Sequence, residues 1–200
     1  MKQFFQDHSY DMVKMFLNQF ATAIFGFVLT LASLMAKSAA LRNFTSIFAI
    51  LFYLFLLYTM TWEIGYRDKI SVEMGKKKKI PMKGALIALC ANGINFLLAI
   101  VVALSQIPAL SSFLEKAGAL CVSIALFLEG MFTGLLTNKI GGFAVSSYWF
   151  VYFLLPIPAI LVCGLAYHLG IHDIKFTSIF DPVYPESDRD PNEKKKRSNR

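Results

Sequence analysis

Residues 117–136 read AGALCVSIALFLEGMFTGLL, an apolar run whose one charged side chain, Glu129, falls past its middle. About 20 mainly apolar residues are what a helix needs to cross the hydrocarbon of a bilayer. An acid at the depth implied is costly to keep, and such groups face protein or a watery cavity rather than lipid. The stretch therefore reads as a membrane segment and, at Glu129, as the leading functional candidate.

Working outward, residues 13–36, 44–62, 84–104 and 148–167 meet the same length criterion. None alternates as a lipid-facing barrel strand does. Hydrophobic residues make up 56% of this 200-residue chain and mean hydropathy is +0.54, more apolar side chain than a single water-soluble core requires. The expected fold class is all-α, a polytopic integral membrane bundle of about five transmembrane helices. Residues 13–172 would form the membrane domain. Residues 1–12 are expected to lie on the surface as an interfacial segment, and residues 173–200 to form a polar, mostly disordered tail. The first stretch is too long for a signal-peptide core, and Ala36-Lys37-Ser38 makes a poor cleavage site.

The net charge of +7 is concentrated between the second and third stretches and at the C-terminus. The loop of residues 66–83 carries Arg67, Lys69, Lys76, Lys77, Lys78, Lys79 and Lys83. Basic residues so close to spanning helices stay on the cytoplasmic side, which places the N-terminus there too. Lys76, Lys77, Lys78 and Lys79 would meet anionic lipid, each worth about 1 kcal/mol near such a leaflet. The expected setting is a bacterial plasma membrane, with no nucleic-acid partner. Five full crossings, the preferred arrangement, would send the tail outside. In the alternative, residues 117–136 dip into the membrane and return, leaving the tail inside; backbone returning at that depth must be surrounded by protein or by a watery cavity.

Glu129 is followed by Gly130 and Gly134, four residues apart, a spacing that lets a neighbouring helix approach closely. In the third stretch Gly84, Ala88, Asn92, Asn95, Ala99 and Ala103 recur every three or four residues and share one helix face. This face is expected to pack against the fourth stretch, with Asn92 or Asn95 near Glu129. Glu129, Asn92 and Asn95 are the candidates for a ligand-contact or coupling group; the competing reading is polar glue between helices. At the end of the fifth stretch His168, His172 and Asp173 offer a metal-binding alternative, weakened by Gly170 between the histidines, which is expected to end the helix. Pro156 and Pro158 predict a kink. Cys90, Cys121 and Cys163 form no CxxC pair and read as small buried residues.

The chain carries no nucleophile elbow, no phosphate-binding glycine loop and no HExxH pair, so no cofactor is expected. The function expected is that of a small non-enzymatic membrane subunit, one that assists transport or assembles with a partner through the third and fourth stretches. The alternatives are a membrane-embedded metal-dependent hydrolase built on His168, His172, Asp173 and Glu129, and a pure interaction scaffold.

Overall fold

The computed structural model describes residues 2–76, 80 and 82–174. The chain folds into helices α1 (Lys2–Met35), α2 (Ala39–Glu73), α3 (Lys83–Ala91), α4 (Gly93–Ser105), α5 (Pro108–Leu128), α6 (Thr133–Leu136), α7 (Val151–Leu154) and α8 (Ile157–Ile171). A 3-10 turn, Gly130–Phe132, joins α5 to α6, and a small hairpin of β1 (Lys139–Ile140) and β2 (Phe143–Ala144) follows α6. Its two-residue turn, Gly141 and Gly142, has φ of +62° and +89°, the left-handed pair that a tight hairpin demands and that glycine adopts without steric cost.

The centre of the bundle mixes small residues with a few large ones: Ala23, Ala49, Ala99, Ala159, Cys163 and Ala166 are at most 1% exposed, as are Leu57, Ile87 and Met131. Other bulky apolar side chains point outward, with Phe44 66%, Leu97 65%, Leu120 62% and Leu161 66% exposed. In lipid, burying a leucine between helices gains little over leaving it in acyl chains, so close backbone packing through small residues holds the helices together. Among the described residues, His8–Met35, Ala39–Glu73 and Val151–Ile171 are long and apolar enough to cross a membrane, and two bent pairs of helices pass the same test together. The all-α membrane bundle is thus the observed fold class, and each of the five apolar stretches is helical.

Contacts along the long axis decide how the stretches connect. Helices α1 and α2 run antiparallel, with Phe25 against Phe52 at 5.7 Å and Asp11 near Arg67 at 3.9 Å. The end holding Arg67 may be called the basic end. Lys83, at the start of α3, joins Asp68 of α2 there at 2.6 Å, and Asp173, beyond α8, joins Lys69 at 3.2 Å. At the far end, the guanidinium of Arg42 donates to Asn138 Oδ1 at 3.0 Å, and Asn138 Nδ2 donates to Asn43 Oδ1 at 2.8 Å. The chain after α6 therefore emerges at the same end as the α1–α2 turn, which is also where α4 ends, beside Trp149.

It follows that α1, α2, the α3–α4 pair and α8 run the full length, whereas α5 and α6 enter and leave at the far end. The preferred reading of residues 117–136 as a crossing is corrected: the segment turns back, bending by 83° at the break between α5 and α6. The physical requirement for such a return is met. Glu129, Gly130, Met131 and Phe132 are all buried, and the Thr133 hydroxyl donates across the break to the Leu126 carbonyl at 3.4 Å. Both ends of the described chain then lie at the basic end.

Three boundaries also differ from expectation. Residues 2–12 continue α1 instead of lying apart on the surface, and residues 66–73 of the expected loop continue α2. No proline interrupts either helix, Gly65 at the start of the second extension packs against the Tyr167 carbonyl, and the contact between Asp11 and Arg67 ties the two extensions together. The third stretch breaks at Asn92, with α3 and α4 inclined by 54°. The helical run of the fifth is interrupted at Leu155–Pro156, as the prolines predict. Lys77, Lys78, Lys79 and the tail from residue 175 lie outside the described residues; Lys76 is exposed.

Candidate functional site

Glu129 closes α5, and the two residues that follow pack against α1 so tightly that only small groups fit. A Cβ added to Gly130 would lie 2.2 Å from the Ala23 carbonyl oxygen, and one added to Gly26 would lie 2.4 Å from Met131 Cα. The expected close approach at Gly130 and Gly134 is present, but the two glycines serve different helices. Gly134 meets α2, where an added Cβ would strike the hydroxyl of Ser46. The reason is the 3-10 turn, which removes the two residues from a common helix face.

The carboxyl so placed is 3% exposed and takes hydrogen bonds from two helices. Gln19 Nε2 of α1 donates to Oε1 at 3.0 Å, and Asn95 Nδ2 of α4 donates to the same oxygen at 2.7 Å. Asn95 Nδ2 also donates to Asn92 Oδ1 at 3.0 Å, while Asn92 Nδ2 turns back to the Ala88 carbonyl at 2.9 Å. That back-bond offers the backbone an alternative partner where α3 gives way to α4, and Gly93 follows it. Both breaks, at Asn92 and at Glu129, thus meet at one buried polar centre.

Asn92, Asn95 and Glu129 come together as their spacing suggests. Ala99 and Ala103 of that face lie on α4, which packs along α5 of the fourth stretch, whereas the α3 part turns to α8: a Cβ added to Gly84 would strike the Cys163 carbonyl oxygen, and buried Ala88 belongs to the same short helix. The 54° bend divides the stripe between two neighbours. Gln19, 2% exposed, was missed. Its signal was available, since a polar side chain inside an apolar span is informative whether or not it is charged.

A second polar centre occupies the basic end. Lys83 Nζ lies 2.6 Å from Asp68 Oδ2, and the Tyr167 hydroxyl donates to the same oxygen at 3.0 Å. The side chains of Lys83 and Asp68 are 4% and 11% exposed. Beside them is a cavity of about 380 Å³ bordered by His8, Asp11, Arg67 and Ser71. The sequence placed Lys83 and Asp68 among solvated loop charges; the extension of α2 carries Asp68 inward to meet the start of α3.

His168 and His172 do share a face, with ring centroids 4.7 Å apart, because α8 continues through Gly170 to Ile171. Gly170 packs against the Trp62 carbonyl rather than ending the helix. Asp173 is engaged by Lys69, and among the described residues no three His, Cys, Asp or Glu side chains are grouped to hold a metal ion. The histidines lie toward the basic end, beside Tyr167, and Glu129 does not join them. Cys163 is buried, Cys90 and Cys121 are partly so, and all three are free thiols.

Comparison with protein-family models, with curated proteins and with solved structures finds no match to this chain.

Proposed function

We propose that this protein is a small non-enzymatic membrane subunit that assists transport, with Glu129 as its coupling or ligand-contact group and Asn92, Asn95 and Gln19 holding it. The observation that carries this reading is a buried acid at the meeting point of two interrupted helices. Interrupted helices at mid-depth supply polar backbone and side-chain groups where an unbroken helix offers none, and transporters bind ions and substrates at such breaks. Both termini and the basic loop would face the cytoplasm of a bacterial plasma membrane, with Lys76 and its neighbours on anionic lipid. A partner would meet the outward apolar faces of α4 and α5, where Leu97, Ile100, Leu120 and Phe127 are exposed.

The test is ion movement in liposomes reconstituted with the purified protein and any membrane partner that copurifies with it. Wild-type protein should dissipate an imposed ion gradient faster than empty liposomes, and Glu129→Gln should fall back to the empty rate. Equal rates for the two proteins would sink the role. A scaffold reading draws on the same hydrogen bonds, which join α1, α4 and the returning segment. Against it stands the carbonyl oxygen of Asn95, buried and without a hydrogen-bond partner, since glue gains nothing by leaving an acceptor unsatisfied.

A further inference from the structure

Glu129 is surrounded by amides. Gln19, Asn92 and Asn95 each carry both a donor and an acceptor on one planar group, and half a turn about the last torsion exchanges them. In the structure, Asn95 points its NH₂ toward Glu129 Oε1 at 2.7 Å and Asn92 Oδ1 at 3.0 Å. Its own Oδ1 is left buried and without a hydrogen-bond partner, on a residue 5% exposed. The reverse orientation would set Oδ1 against two oxygens. Neither orientation satisfies the centre without a further group.

A proton on Glu129 would relieve only one of those oxygen contacts. Asn92 cannot turn to relieve the other without giving up its bond to the Ala88 carbonyl at 2.9 Å. A cation among the oxygens relieves both. The ligand set is then the Glu129 carboxylate with the side-chain oxygens of Asn95, Asn92 and Gln19, hard neutral donors around one negative charge and no imidazole or thiolate among them. Such oxygens suit alkali and alkaline-earth cations. Charge balance chooses between these: one carboxylate neutralises a monovalent ion, whereas a divalent ion would leave a net positive charge buried where charge is costly.

We infer that the Glu129 centre is a binding site for a monovalent alkali cation, entered when the amides of Asn95 and Gln19 turn their oxygens inward. This rests on the coupling role proposed above and names its ligand. The experiment is thermal unfolding of the purified protein in lipid nanodiscs at constant pH, titrated with sodium or potassium chloride against choline chloride at equal ionic strength. Direct binding of radiolabelled sodium is measured alongside. The expected result is saturable stabilisation by one of the alkali ions, with Glu129→Gln and Asn95→Leu each losing about tenfold or more in apparent affinity. If Asn95→Leu does not fold, the wild-type and Glu129→Gln titrations carry the test. Absence of cation dependence, with Glu129→Gln still abolishing ion movement in liposomes, would overturn the cation site and leave a proton as the coupled ion. Absence of cation dependence together with unimpaired flux in Glu129→Gln would overturn both readings.

Discussion

The two buried polar centres differ in how their charge is compensated. At the basic end, the carboxylate of Asp68 has an ammonium group 2.6 Å away and a phenol donating to the same oxygen. At mid-depth, Glu129 has two amide donors and, among the described residues, no ion-pair partner. The first centre is complete as it stands and latches α2, α3 and α8 together. The second is held in place but incomplete, with an acceptor left over on Asn95. The first centre secures the fold; on the function proposed above, the second has capacity for a ligand.

Breaking the latch should have the largest effect. Lys83→Ala leaves Asp68 buried beside an uncharged gap, and removing one partner of a buried pair costs about 3–5 kcal/mol. Thermal or denaturant unfolding in detergent should show a loss of that size. Replacing both partners, as Asp68→Leu with Lys83→Met, should restore most of it, because an apolar pair of similar volume carries no uncompensated charge. A double variant as unstable as Lys83→Ala would mean that the latch acts through something other than charge compensation.

The return at Glu129 depends next on backbone proximity. Gly130→Ala puts a methyl group 2.2 Å from the Ala23 carbonyl oxygen, where backbone rather than a flexible side chain must yield. The expected cost is about 1–3 kcal/mol, in the range of other overpacking substitutions. Gly93→Ala is the control, since a Cβ there meets nothing within 4 Å. Similar unfolding midpoints for the two variants would contradict the close packing of the returning segment.

Smallest of all should be the stability effect of Glu129→Gln, within about 1 kcal/mol, because the new amide keeps a carbonyl oxygen for the donors of Gln19 and Asn95. The contrast with Lys83→Ala is the sharpest check on the distinction between the two centres. If Glu129→Gln unfolds as readily as Lys83→Ala, the acid is structural and the two regions are alike.

Much of this was legible along the chain. Length and hydropathy located the five apolar helical stretches, because about 20 apolar residues are what a spanning helix needs. The spacing of Asn92 and Asn95 placed them near Glu129, because a helical face is set by local geometry. Gln19 carries no charge, and nothing in its own stretch ties it to Glu129. Asp68 and Lys83 could not be matched in the same way. Each carries a charge beside a basic loop, and burial, the property that makes them a latch, belongs to neither residue alone.

Sequence by itself determined that the chain holds segments long and apolar enough to cross a membrane, that they are helical, and that an acid and two amides occupy apolar surroundings, since each follows from composition over a single helix. Only the tertiary structure decided that residues 117–136 turn back rather than cross. A crossing and a return need the same apolar length; what separates them is whether other parts of the chain surround the exposed backbone at the bend. Here Ala23 of α1 and Ser46 of α2 do so, from positions that no local pattern connects to Glu129.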